Sequence, residues 1–276
     1  MLVNSKSVLE EAKRSRHCII APDYIDMDSA RTFVHEAEAM NQPIILSYAE
    51  VFRSFFSLEE AAAIGKVAAE SVKIPIVLHL DHGEHFEFIK KAIDLGFTSV
   101  MIDASSETFE ENVRRTREVI DYAHPRGVTV EAEIGHVGMG ENYEAKDDTD
   151  SIYTTVEEAM AFAEQTGVDS LAVSIGTAHG KYKNAVEPVL NFERLHELDE
   201  NISIPLVLHG SSGSGDQNLY RCATEGISKM NIYTDFLVGA MEQVRLDNPS
   251  EYIALKQSAS HGMGKVLRHY FALFAK

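Results

Sequence analysis

Short β-branched runs alternate with longer amphipathic stretches along the whole chain. The runs are Cys18–Ala21, Pro43–Tyr48, Pro75–Leu80, Ser99–Asp103, Val128–Ile134, Ser170–Ile175, Pro205–His209 and Ser228–Ile232. Each is nearly continuous in apolar residues, the pattern of parallel strands covered on both faces. Between them the apolar positions recur with helical period. Ser57 with Glu60, Thr108 with Glu111 and Thr155 with Glu158 have capping-box spacing and mark three helix starts. Gly96, Gly127, Gly167 and Gly226 stand between a helical stretch and the next strand, where a left-handed helix-ending residue belongs. Eight such units in about 250 residues predict an α/β fold, a (β/α)8 TIM barrel. An extra helix is expected over residues 5–16, before the first strand, and more over 233–247 and 251–274. A doubly wound open sheet is the alternative, but no G-x-G-x-x-G follows the first strand.

Composition narrows the picture. The chain has 276 residues, with 43 Asp and Glu against 25 Lys and Arg, a net charge of −18. No low-complexity segment or Pro/Gly linker divides it, so residues 1–276 read as one domain. The negative field argues against nucleic acid or an anionic membrane as partner. No apolar stretch approaches the roughly 20 residues that span a bilayer. The polar, helix-periodic start Met1–Lys13 is not a secretory signal, so a cytoplasmic location is expected. Cys18 and Cys222 allow at most one disulfide. Twelve His beside two Cys mean that a metal site would be built from histidine and carboxylate.

Barrel chemistry lies at the C-terminal ends of the strands. Strand three ends in Asp81-His82-Gly83 and strand four in Asp103. Strand five carries Glu131 and Glu133, and strand six leads to His179-Gly180. Strand seven ends in His209-Gly210-Ser211-Ser212 and strand eight in Asn231-Ile-Tyr-Thr234. One histidine at a strand end is ordinarily a loop residue. His82, His179 and His209, at three strand ends and each beside glycine, can converge above the axis as a zinc site with an open position. Asp81, Asp103 and Glu133 stand near enough to act as acid, base, orienting group or second metal ligand. Asp81 taken alone equally suits a helix N-cap. His79, inside an apolar run, reads as a core histidine, and His85, His136, His196, His261 and His269 as surface or loop residues. The hydroxyl-rich turns Gly210–Ser214 and Asn231–Thr234 follow strands seven and eight, where barrels often hold phosphate on backbone N–H groups. Ordinary turn chemistry would explain either one alone.

At these residues the chain resembles the zinc-dependent class II ketose-bisphosphate aldolases. The matching stretches are Leu78–Gly83, Met101–Ser105, Val130–Gly135, Asp169–Gly180, Pro205–Ser212 and Lys229–Thr234, in order over roughly residues 75–235. The resemblance implies a (β/α)8 barrel with Zn2+ on His82, His179 and His209. It implies that Asp103 and Glu133 hold a second or alternative metal position, and that Asp81 is the acid/base at the bond made or broken. Gly180, Lys183, Gly210, Ser211, Ser212, Asn231 and Thr234 correspond to the pocket for dihydroxyacetone phosphate, where some members also bind a monovalent cation, Na+ or K+. Glu141, in the loop Gly138-Met-Gly-Glu141, corresponds to a mobile glutamate that moves the proton on the donor carbon. The expected reaction is reversible cleavage of a phosphorylated ketose to dihydroxyacetone phosphate and an aldehyde through a metal-stabilised enediolate. The loop from His136 to Thr154 is long enough to close over a substrate.

The chain departs from the family on the acceptor side. Ala21-Pro-Asp-Tyr24 stands where a Phe-Asn pair is common, and Tyr233 stands where an Asp is frequent. An Asp-Pro-Arg after the last barrel helix supplies an arginine to the distal phosphate in fructose- and tagatose-bisphosphate members. Here the similar position reads Asn248-Pro-Ser250. A serine does not replace a guanidinium for phosphate, so the acceptor is expected not to be glyceraldehyde 3-phosphate. The competing functions are a metal-dependent sugar-phosphate epimerase or hydrolase on the same barrel, and a non-catalytic sugar-phosphate-binding protein. The expected partner is a small-molecule sugar phosphate, and the helices after residue 235 point to a homo-oligomer, a dimer or tetramer.

Overall fold

The computed structural model describes residues 1–135, 138–139, 153–179 and 187–275, with the backbone alone at 138–139 and 178–179. Its centre is an eight-stranded parallel sheet. The strands are β1 (Ile19–Pro22), β2 (Ile44–Ala49), β3 (Ile76–Gly83), β4 (Ser99–Ile102), β5 (Thr129–Ile134), β6 (Ser170–Val173), β7 (Leu206–Leu208) and β8 (Ile227–Ile232). Hydrogen bonding runs β1-β8-β7-β6-β5-β4-β3-β2. The circle is completed by a parallel bridge between Asp23 and Ser47, where the Tyr24 N–H donates to the Ser47 carbonyl at 3.0 Å. The fold is a (β/α)8 TIM barrel, as the alternating pattern predicts.

The surrounding helices are α1 (Lys6–Ser15), α2 (Met27–Ala39), α3 (Leu58–Glu70), α4 (Phe86–Asp94), α5 (Phe109–Ala123), α6 (Val156–Thr166), α7 (Phe192–Asn201), α8 (Asp216–Glu225), α9 (Thr234–Asp247) and α10 (Tyr252–Phe274). The expected start signals act as caps. The hydroxyls of Ser57, Thr108 and Thr155 accept from the N–H groups of Glu60, Glu111 and Glu158. Gly127, after the short 3-10 turn that extends α5, and Gly167, after α6, have φ near +72° and +73°, a conformation glycine adopts without a Cβ penalty. Strand six is shorter than its apolar run, ending at Val173. Features outside the periodic pattern among the described residues include 3-10 helices at Glu50–Ser54 and His124–Arg126 and a parallel pair of Gly138–Met139 with Ala178–His179.

The barrel interior is layered. Leu9 and Ala12 of α1 pack with Ile19, Ala21, Ile45 and Val77, so the helix before the first strand plugs the N-terminal end. Above this apolar layer lie buried His79, Ser99, Glu131, Ser170 and Lys229, and above these lie the strand ends. The main core lies between sheet and helices, with Phe33, Phe97, Phe162 and Phe236 fully buried. α10 packs on α9 and on α2 of its own chain, where Arg268 pairs with Glu36. Met241, Leu246, Tyr252 and Ile253 stay exposed on this helical pair. Cys18 and Cys222 are free, buried thiols. Among the described residues no helix is long and apolar enough to cross a membrane.

Candidate active site

The end of β3 is irregular. The pairing of β3 with β4 shifts between Leu80 and Gly83, and His82 sits at φ +45°, left-handed space that a non-glycine residue enters at a cost. Gly83 permits this. A Cβ there would meet the Met101 carbonyl at 2.6 Å and the Ile89 side chain at 2.7 Å. Its own carbonyl accepts from the Asp103 N–H at 2.8 Å. The irregularity brings the ends of β3 and β4 together, and His82 Nδ1 lies 2.7 Å from Asp103 Oδ2. Ser105 donates to the other Asp103 oxygen through its N–H at 3.2 Å and its hydroxyl at 2.8 Å.

His209, fully buried after β7, faces His82. The two rings meet edge to face with centroids 4.6 Å apart. His82 Nε2 and His209 Nδ1 are 2.9 Å apart. The far nitrogen of His209, Nε2, lies 3.0 Å from Glu131 Oε1. Both far nitrogens thus have a carboxylate to donate to, and the two facing nitrogens, at hydrogen-bond distance from each other here, would both be free to offer lone pairs to a cation held between them. Metal-ligating histidines are held in this way. Donor atoms of Asp81, His82 and His209 lie within 4.8 Å of one another, as do those of His82, Asp103 and Glu133. Two imidazoles among carboxylates suit a zinc-type divalent cation. Asp103 meets His82 from the side away from His209, so here it orients the ring. Glu133 Oε2 lies 3.6 Å from His209 Nδ1.

Beneath this pair lies a buried network. Lys229 Nζ donates to both oxygens of Glu131 at 2.8 Å and lies 3.2 Å from His79 Nε2. His79 Nδ1 lies 2.8 Å from Ser99 Oγ. Burial pushes the His79 imidazole down to about 3, with Lys229 adding to the effect, so the ring is neutral. It is the core histidine the sequence predicts. Burial would raise the Glu131 carboxyl, but Lys229 and then His209 outweigh it and hold it well below the usual carboxylate range.

Asp81 is 3 % exposed and accepts from Asn231 Nδ2 at 2.7 Å. Burial works against its charge, yet His82, His209 and Lys229 hold it below its ordinary value. It faces a cavity of about 340 Å³ that is also lined by His82, Gly210, Ser211, Ser212, Asn231 and Thr234. Thr177 Oγ1 donates to the His209 carbonyl at 2.7 Å. Ser212 Oγ accepts from the N–H groups of Tyr233 at 3.3 Å and Asp235 at 3.4 Å, tying the β7 turn to the start of α9. Hydroxyls and a helix N-terminus therefore converge on one side of the cavity, an arrangement suited to an anion.

Of the residues expected from the sequence, the structure thus gathers Asp81, His82, Asp103, Glu133, His209, Gly210, Ser211, Ser212, Asn231 and Thr234. His179 contributes a backbone pairing with Met139. Its side chain, and Glu141, Gly180, Lys183 and His136, lie outside the described residues. From the sequence, Glu131 is noted on strand five without a role, and Lys229 is given none either; Asp23 and Tyr233 stand out only as departures from the family, and Phe52 does not stand out, yet all three line the cavity. The signal for the first two was a charged residue inside a strand covered on both faces.

A family model described as class-II fructose-bisphosphate aldolase matches residues 3–276. A fructose-bisphosphate aldolase of Staphylococcus epidermidis is 37 % identical over 247 residues, 88 % of this chain and 85 % of that protein. One from Staphylococcus aureus is 36 % identical over 256 residues, 91 % and 88 % of the two chains. The crystal structure of the YdjI aldolase from Escherichia coli K12 superposes with a TM-score of 0.89 at 32 % identity, covering 99 % of this chain and 97 % of that one. The chain belongs to the class II fructose-bisphosphate aldolase family of carbon–carbon lyases.

Proposed function

We propose that this enzyme reversibly cleaves a phosphorylated ketose to dihydroxyacetone phosphate and an aldehyde other than glyceraldehyde 3-phosphate. The observation that carries the reading is the facing His82–His209 pair beside Asp81, with Asp81 and His82 lining a cavity that has a hydroxyl-lined anion side. We assign Zn2+ to His82 and His209 with His179, and an alternative metal position to Asp103 and Glu133. When bound, the metal supplies Lewis-acid polarisation of the ketone.

The protein's own groups account for the rest. Asp81, held as a carboxylate, takes the proton from the hydroxyl on the aldehyde-side carbon of the bond that breaks, so that this oxygen becomes the aldehyde carbonyl, and returns it in the reverse direction. Asn231 orients Asp81 through its amide N–H. Glu131 and Asp103 hold the two imidazoles in register. Gly210, Ser211, Ser212, Thr234 and the N-terminus of α9 hold the donor phosphate, joined by Gly180, Lys183 and, as in some relatives of this type, Na+ or K+. Glu141 exchanges the proton on the donor carbon.

The acceptor assignment rests on charge. Among the described residues lining the cavity none is Lys or Arg, while Asp23, Phe52 and Tyr233 are there. Burial and then the neighbouring Asp81 push the Asp23 carboxyl well above its ordinary value, so what this wall lacks for a second phosphate is a cation. The test is to supply zinc-loaded enzyme with dihydroxyacetone phosphate and a panel of aldehydes. Ketose 1-phosphates should form faster from unphosphorylated hydroxyaldehydes than from glyceraldehyde 3-phosphate. Fructose 1,6-bisphosphate as the best cleavage substrate would overturn the acceptor assignment. No carbon–carbon chemistry on any aldehyde would favour an epimerase, a hydrolase or a binding protein instead.

A further inference from the structure

Among the described residues of the cavity wall, one carboxyl is not used by the reaction above. Asp23 follows β1, is 9 % exposed, and lines the cavity beside Asp81, Phe52 and Tyr233. Its Oδ1 is buried with no hydrogen-bond partner among the described residues. The backbone around it is fixed. Asp23 bridges to Ser47, and the next side chain, Tyr24, is pinned by its hydroxyl to the Ala61 carbonyl at 2.7 Å. The Cα–Cβ direction of Asp23 is therefore set by the barrel's closing bridge. A buried acceptor left unmatched costs about 1–3 kcal/mol, so an unmatched one on a cavity wall marks a place where a ligand supplies the partner. A second acceptor on the same wall, Asn231 Oδ1, is also unmatched among the described residues, its amide N–H being committed to Asp81.

We infer that Asp23 recognises a hydroxyl on the aldehyde half of the substrate, on the carbon next to the reacting carbonyl. This rests on the proposed role of Asp81. If Asp81 handles the oxygen that interconverts between aldehyde and alcohol, groups on the neighbouring aldehyde carbon extend along the adjoining wall. A hydroxyl both donates and accepts, so it matches a carboxyl in either protonation state. A phosphate there would meet a buried carboxyl without a cationic partner, and an alkyl group would leave Oδ1 unmatched. The donor phosphate belongs on the opposite, hydroxyl-rich side formed by Ser211, Ser212 and α9. The substrate class is an unphosphorylated α-hydroxyaldehyde, joined to dihydroxyacetone phosphate. Asp23 is thus a specificity-determining residue.

The experiment uses the zinc-loaded full chain and its Asp23→Ala and Asp23→Asn variants, with thermal melts to verify folding. Two readouts are taken: exchange of the donor-carbon proton of dihydroxyacetone phosphate with D2O, and kcat/KM for glycolaldehyde and for acetaldehyde. Wild type should prefer glycolaldehyde. In Asp23→Ala the glycolaldehyde-to-acetaldehyde ratio should fall by about 3- to 10-fold, the value of a hydrogen bond. Asp23→Asn, which keeps a donor and an acceptor, should recover part of it. An unchanged ratio in folded Asp23→Ala, with both aldehydes slowed alike or neither, overturns the inference. Wild type that exchanges no donor proton overturns the aldolase reading itself, a result distinguishable because it precedes any aldehyde.

Discussion

Lys229 is 1 % exposed and is a cation the barrel carries in its own interior. Its ammonium is matched by Glu131 on one side and the neutral His79 on another. Glu131 in turn turns His209, so one buried charge pair fixes the tautomer and tilt of a candidate metal ligand. Because Glu131 is held below its ordinary value, the stability it contributes is complete at neutral pH. It fades only as the pH falls through the ordinary carboxylate value, near 4, and below. Removing one member strands the other. Lys229→Met should destabilise the protein by about 3–5 kcal/mol. Lys229→Met with Glu131→Leu should regain much of that loss in urea unfolding, yet bind metal more weakly than wild type because His209 is no longer oriented. A double variant no more stable than the single would sink this account. Asp81, His82, His209 and Asn231 were legible because polar residues at strand ends stand out against apolar runs. The role of Lys229 with Glu131 was not, because a covered strand is read for its apolar majority and Glu131 alone shows no partner in the sequence.

Among the elements, β3 decides the site. Its first residues are an ordinary covered strand, but the pairing slips between Leu80 and Gly83 and His82 turns left-handed. A residue with a Cβ at 83 would collide with backbone at Met101, which cannot rotate away as a side chain tip can. Gly83→Ala should therefore cost about 1–3 kcal/mol by overpacking. It should also weaken metal binding through displacement of His82 from Asp103. Chelator competition and denaturant unfolding measure the two effects. An alanine variant with wild-type stability and metal affinity would show that the strand end is not strained. The helix starts at Ser57, Thr108 and Thr155 were readable because a cap is a contact three residues long. The 3-10 turn at Glu50–Ser54 was not. Glu50 accepts there from Glu84 N–H at 2.8 Å, a partner 34 positions away.

For the molecule as a whole, a net charge of −18 surrounds a site proposed to hold anions. Local structure has to overcome that field, and the proposed metal, hydroxyls and helix terminus do so at one end of the barrel. A divalent ion that binds only the folded chain adds stability by mass action, about 2.7 kcal/mol at a hundred times Kd. Chelation should abolish activity and lower the thermal midpoint, and zinc should restore both. His82→Ala should show little of the zinc-dependent shift. A midpoint indifferent to chelator and zinc would remove the metal assignment. The sequence by itself determined the eight-fold alternation, the helix ends, and the strand termini on which the proposed chemistry stands, because these are local patterns of period, cap and turn. Only the tertiary structure decided which nitrogens of His82 and His209 face each other. It alone turned Asp103 to His82, seated Lys229 beneath the site and brought Asp23 to the wall by Asp81. These contacts join residues up to 150 positions apart. They depend on barrel closure and a slipped register, which no local pattern encodes.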